Sequence, residues 1–198
     1  MSNKKINLSS KSIYHYTKGY SVEGILRDGF IKIEGNSGRA FCRPSTSFVW
    51  FTQKGSYPIC ALPFIPQLKY TQMDNHFGVV RPSINWKELG EVIGGVFRFE
   101  FSGRDDRVEK WTKSSFRSKN ISNKKIQQLE MTANRAEDYA SNFWIAHKEM
   151  ALIKCKLQKY IDGIWIDLLK FDEFGFVEEL TNYTLDDVIS MCQERLCA

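Results

Sequence analysis

Cysteine is scarce in this chain and follows no pattern. The five thiols, Cys42, Cys60, Cys155, Cys192 and Cys197, are odd in number, form no C-x-x-C pair and have no histidine at metal-ligand spacing. That argues against a zinc ribbon or a disulfide framework, so reduced thiols and no metal are expected. Apolar residues nowhere run long enough to span a bilayer, and Met1 to Lys11 is polar, without the apolar segment of a signal peptide. The expected location is therefore the cytoplasm, with no membrane partner. No internal repeat or low-complexity tract divides the chain. No G-x-G-x-x-G closes a strand and no P-loop is present, which argues against a dehydrogenase or a conventional ATPase.

What is present is one chain of 198 residues, 42% hydrophobic, enough for one sizeable core. A single domain over 1–198 is expected, with 1–11 as a loose tail. The formal charge of +5 favours an anionic ligand or polymer without identifying one.

The most informative stretch is Ser12-Ile13-Tyr14-His15-Tyr16-Thr17, an apolar strand with a polar tip. A helix pattern follows at once: Ser21 as cap, Val22, Ile25 and Leu26 at helical spacing, and Gly29 as the left-handed residue that ends it. His15 thus stands where a strand crosses into a helix, and there unpaired backbone N–H groups and an imidazole can hold a polar ligand together. The alternative is a histidine that satisfies a loop carbonyl.

Phe30 to Glu34 alternates as a short strand. The polar stretch Glu34 to Thr46 contains Arg39 and Arg43 and reads either as a loop that folds over a ligand, its arginines meeting a diphosphate, or as a solvated surface loop. Ser47 to Gln53 is an aromatic strand. Alternation places Trp50 and Thr52 on one face and Phe51 on the other, so that one face lines a pocket and the other fills the core, and an aromatic ring there can stack on a flat cationic heterocycle. Pro58, Pro63 and Pro66 mark an irregular crossing from Gly55 to Tyr70. Strands are expected at Phe77 to Arg81 and at Gly95 to Phe101, where Arg98 and Glu100 face away from the core, and a helical turn at Asn85 to Leu89.

From Ser102 to Ser122 the chain is basic, with Arg104, Arg107, Lys110, Lys113, Arg117 and Lys119, and carries Trp111 and Phe116. Cations pair with phosphates and flat rings stack on unpaired bases, so this run is the candidate contact for a macromolecule; a solvated connecting loop is the alternative. Asn123 to Tyr139 reads as an amphipathic helix capped by Ser122, with Ile126, Leu129, Ala133 and Ala136 on one face. Phe143 to His147 extends, and Glu149 precedes Met150 to Ile153. A carboxylate among apolar neighbours either has partners, lines a wet site or simply faces outward. Lys156 to Leu169 forms a strand pair turned at Asp162-Gly163, and Thr184 with Asp187 opens a last helix through Arg195, docked by Val188, Ile189, Cys192 and Leu196.

Three segments, SIYHYTKGYSVEGILRDGF, SFVWFTQ and NFWIAHKEMAL, resemble in that order the signature strands of the ADP-ribosyltransferase superfamily. The resemblance is to its H-Y-E class, nearest the DarT-like bacterial and phage branch. It implies an α+β fold with a split, mainly antiparallel β core and peripheral helices, and an NAD-dependent mono-ADP-ribosyltransferase with NAD as substrate. Glu149 matches the catalytic glutamate, within W-I-A-H-K-E-M from Trp144 to Met150. The resemblance further implies that His15 reaches the adenosine ribose, that backbone near Tyr16 and Thr17 holds the nicotinamide amide, and that Trp50 or Phe51 packs on the nicotinamide ring. Arginine-modifying relatives carry a second acidic residue two places before the glutamate. Here that residue is His147, which argues against an arginine acceptor. The acceptor expected is a macromolecule, nucleic acid before protein, contacted by Arg104, Arg107, Lys110, Trp111 and Lys113. A toxin or a phage counter-defence effector is the implied setting. The alternatives are a non-catalytic nucleic-acid-binding or partner-binding protein of the same fold, and an NAD glycohydrolase.

Overall fold

The computed structural model describes residues 11–33, 48–55, 73–74, 79–80, 93–117, 122–135, 139–179 and 183–193. The loop with Arg39 and Arg43, the proline-marked crossing after Gly55 and the expected turn at Asn85 to Leu89 lie outside them, as do Cys42, Cys60, Cys197 and Leu196.

Period-2 alternation builds the centre of the protein. Strand β1 (Ser12–Lys18) pairs antiparallel along its whole length with β6 (Val96–Ser102), so Ile13, His15 and Thr17 stand opposite Phe101, Phe99 and Phe97. Ile13 and the three phenylalanines are each at most 1% exposed, and burying each such side chain contributes roughly 1.5–3 kcal/mol.

Around this pair lies an eight-stranded sheet in the order β12-β11-β10-β6-β1-β3-β8-β7, with every pairing antiparallel. Its other strands are β3 (Val49–Thr52), β7 (Glu109–Lys110), β8 (Phe143–Ala146), β10 (Lys156–Ile161), β11 (Ile164–Phe171) and β12 (Val177–Glu179). Two small sheets accompany it, one of β2 (Phe30–Ile31) with β9 (Met150–Ala151), the other of β4 (Met73–Asp74) with β5 (Val79–Val80). Of the strand expected at Phe77 to Arg81, only Val79 and Val80 lie among the described residues, as β5. The fold is a mixed α+β one, dominated by antiparallel sheet.

Helix α1 (Gly19–Asp28) begins two residues before the expected position, so Ser21 lies inside it and is not its cap. The residue in the cap position, Lys18, makes no side-chain capping bond, because the helix start is served from elsewhere: the Gly19 N–H donates to the Gly95 carbonyl at 3.0 Å. That approach demands glycine, since a Cβ on Gly19 would lie 1.6 Å from the Gly94 carbonyl oxygen. The far end is as expected: Gly29 adopts φ 76° and its N–H bonds the Ile25 carbonyl at 2.9 Å.

The sheet is packed on both faces. One face carries the main core, with Val22 of α1 and Val188 and Cys192 of the last helix; the other carries a second cluster of Phe48, Trp111, Phe116, Ile126, Phe143 and Ile145. Helices α2 (Lys113–Arg117) and α3 (Asn123–Arg135) supply Phe116 and Ile126 to that cluster. The Ser122 hydroxyl accepts from the Lys125 N–H at 3.4 Å, as a cap would.

The β10–β11 hairpin turns through Asp162 at φ 46° and Gly163 at φ 93°, the two positive φ values that a two-residue hairpin turn requires. Helix α4 (Leu185–Gln193) opens on the expected reciprocal cap. The Thr184 N–H donates to Asp187 Oδ2 at 2.8 Å, and the Asp187 N–H donates to Thr184 Oγ1 at 3.1 Å.

Candidate functional site

Three segments far apart in sequence become neighbours in space. Strands β1, β3 and β8 lie side by side in the sheet, with Tyr14 opposite Thr52 and Phe51 opposite Trp144. Strand β8 leaves the sheet at Ala146. After the turn His147 to Glu149 the chain resumes as β9, paired with β2 just beyond α1. Glu149 is exposed in that turn, immediately before buried Met150, and is not itself a strand residue.

His15 is held on the inner face. Its Nδ1–H donates to the Trp50 carbonyl at 2.9 Å, and its ring stands edge-on to Phe51 with centroids 5.9 Å apart. The neutral ring therefore offers Nε2 as an acceptor, and the ring donor anticipated for a ligand is already used on β3. Burial pushes the His15 pKa down, partly offset by the bond to Trp50. A group so depressed stays neutral in the folded protein while the unfolded chain takes up a proton, so stability rises with pH through this window. We expect the thermal midpoint to fall as pH is lowered from 7 towards 5, below the ordinary His value of 6.5, and His15→Gln to flatten that fall. Asp28, held low by Lys32, loses its contribution only in the more acidic carboxylate range, so melting curves at several pH values separate the two.

The remaining residues expected to meet a ligand divide by face. Thr17 is buried on the His15 side. Tyr16 faces the other way and donates its hydroxyl to the Lys54 carbonyl at 2.8 Å. Trp50 and Phe51 do point to opposite faces; Trp50 packs by its edges among Phe48, Phe116 and Phe143 and is half-buried. Phe51, at 2% exposure, belongs to the core and has no face left for a ligand ring. The covering of both rings has one cause, the apolar layers on the two sides of the sheet.

The basic run also changes meaning. Trp111 and Phe116 are 7% and 0% exposed, so neither ring is presented to bases. Arg107 chelates Asp105, with Nε to Oδ1 at 2.9 Å and Nη2 to Oδ2 at 2.6 Å, and donates to the carbonyls of Ala151 and Ile153 at 2.9 and 3.2 Å. It therefore tethers the segment just after Glu149 and does not reach for an acceptor. Burial opposes the Asp105 carboxylate, but the bonds from Arg107 outweigh it and hold its pKa below the ordinary value. Lys113 pairs with Glu130 at 3.0 Å. Arg104, Lys110 and Arg117 are exposed.

Two features escaped the sequence. Arg98, expected simply to face away from the core, is only 6% exposed on the outer face of the sheet. Its guanidinium lies 4.0 Å from the ring centroids of both Tyr14 and Trp165 and donates to Gln158 Oε1 at 2.5 Å and the Gly55 carbonyl at 2.6 Å. The other is a carboxylate and an imidazole 38 residues apart, Glu109 and His147, joined at 2.9 Å. Glu109 is one of three acidic residues in the basic run, with Asp105 and Asp106, and nothing local singles it out.

Among the described residues no group of His, Cys, Asp or Glu could hold a metal ion, and no helix is long and apolar enough to cross a membrane. Comparison with protein-family models gave no match, and neither did comparison with curated proteins or with solved structures.

Proposed function

We propose that this chain is an NAD-dependent mono-ADP-ribosyltransferase with a macromolecular acceptor, nucleic acid before protein. The observation that supports this reading is the adjacency of β1, β3 and β8, the three strands of the sequence resemblance, with Glu149 in the turn that directly follows β8. The eight-stranded sheet with the separate β2–β9 pair is compatible with the split β core of that superfamily.

The chemistry asks little of the protein. Nicotinamide in NAD is already a cationic leaving group, so its glycosidic bond breaks without the acid partner that ordinary glycosidases need. Glu149 would hydrogen-bond the nicotinamide ribose and stabilise the oxocarbenium-like charge as nicotinamide departs. His15, with Nδ1 occupied, would accept a ribose hydroxyl at Nε2 and so bind and orient without exchanging protons. Exposed cations of the 104–117 segment, Lys110 and Arg117 among them, would meet acceptor phosphates, while Arg107, Trp111 and Lys113 have other tasks.

The test uses labelled NAD and a cell lysate divided into nuclease-treated and protease-treated halves. We expect nicotinamide release and a labelled product that nuclease removes. Label that survives nuclease and disappears with protease would replace nucleic acid by protein as acceptor. Absence of nicotinamide release from the wild type overturns the assignment.

A further inference from the structure

The imidazole of His147 is set up with more care than an exposed side chain needs. Its side chain is 37% exposed, yet two residues distant in sequence position it. Glu109 of β7 accepts its Nε2–H at 2.9 Å, and Phe48 stands edge-on to it with centroids 5.1 Å apart. Glu109 is itself steadied by the Ser115 hydroxyl of α2, which donates to the same Oε1 at 3.0 Å. Ser115 is 7% exposed, and its hydroxyl also lies 3.1 Å from Oγ1 of exposed Thr112.

This geometry fixes the tautomer. A carboxylate only accepts, so the neutral ring carries its proton on Nε2 and its lone pair on Nδ1. Nδ1 has no hydrogen-bond partner among the described residues, and the ring sits on the same turn as Glu149, two residues before it. The hydrogen bond from His147 is also the main reason that the Glu109 pKa lies below the ordinary value, ahead of an opposing burial effect and of the bond from Ser115. A carboxylate and an imidazole oriented by it, with the second ring nitrogen left as an acceptor, form the arrangement that general bases use.

We propose that His147, oriented by Glu109, is the general base that takes the proton from the acceptor during transfer. The inference rests on the transferase reading above. In the step, an N–H or O–H atom of the acceptor bonds to the anomeric carbon of the nicotinamide ribose. The carbon–nitrogen bond to nicotinamide breaks, its electron pair neutralising the pyridinium, and the acceptor proton passes to His147 Nδ1 and then to water. Glu109 is a positioning residue that stabilises the imidazolium formed. Facing His147 from β7 is the Glu109 carboxylate, and its chain neighbours Lys148 and Glu149 are exposed.

The experiment measures label transferred from NAD to lysate macromolecules alongside NAD binding, for the wild type, His147→Ala, His147→Gln and Glu109→Gln. Both His147 variants should lose about 10²-fold or more of the transfer rate with NAD binding retained, and Glu109→Gln about 10-fold. Added imidazole should restore part of the transfer in His147→Ala and none in His147→Gln, whose longer side chain still fills the position. Undiminished transfer in His147→Ala, or a loss that imidazole does not relieve, overturns the inference and leaves the transferase reading standing. A wild type that releases no nicotinamide overturns both.

Discussion

Replacing Glu149 by Gln is expected to lower nicotinamide release by on the order of 10²–10³-fold while leaving NAD binding and the melting temperature nearly unchanged. The carboxylate is exposed in the turn between β8 and β9, so its loss removes no packing and leaves no buried partner unsatisfied. In the proposed role its contact strengthens only as positive charge develops on the ribose, and an interaction made chiefly in the transition state appears in kcat and not in binding. Glutamine keeps the shape and hydrogen-bonding reach but not the charge. Single-turnover nicotinamide release with NAD titration by calorimetry checks this, and turnover equal to wild type would remove Glu149 from the reaction. Arg107→Ala serves as the contrast. It should slow the reaction by loosening the segment Ala151 to Ile153 that follows Glu149, and it should lower stability as well, which Glu149→Gln should not.

The largest expected effect on stability comes from Arg98. Its guanidinium is buried between Tyr14 and Trp165 and donates to Gln158 and to the Gly55 carbonyl, while Gln158 in turn donates to Asp167, which Lys156 pairs at 2.7 Å. Arg98→Ala takes away two cation–π contacts, removes the donor from three acceptors, Gln158 Oε1, the Gly55 carbonyl and the Tyr16 hydroxyl, and opens a cavity between the rings. Together these should destabilise the protein by roughly 3–5 kcal/mol. Arg98→Lys should recover little, because an ammonium lacks the planar fork that stacks between two rings while bonding in its own plane. Arg98→Met separates charge from volume: it refills the space but not the hydrogen bonds, and should fall between wild type and alanine. Urea unfolding of the three variants measures this, and a cost below 1 kcal/mol for Arg98→Ala would mean that the network contributes nothing net.

The elements legible in the sequence are those set by contacts within a few residues. Gly29 ends α1 because only a left-handed residue closes that turn, Asp162-Gly163 reverses β10 into β11 through two positive φ values, and Thr184 with Asp187 caps α4 across three residues. Alternation likewise sorted the two faces of β3 and β6, since it follows from backbone geometry alone. The start of α1 differs from the expected Ser21 for the complementary reason: its first N–H is satisfied by Gly95, 76 residues away, and no local residue type signals that.

By itself the sequence determined the strands β1, β3, β6, β8, β10 and β11, the turns at Gly29 and Asp162-Gly163, and the order of the three segments that carry the resemblance. Only the tertiary structure decided that β1, β3 and β8 lie side by side, and that His147 and Glu109 meet across 38 residues. It also decided which face of each strand is covered. Period-2 alternation says that two faces differ but not whether the second one meets water, and here an apolar layer from α2 and α3 covers part of it. That layer turned Trp111 and Phe116 into core and made Trp50 half-buried, while Arg104, Lys110 and Arg117 of the basic run stay exposed.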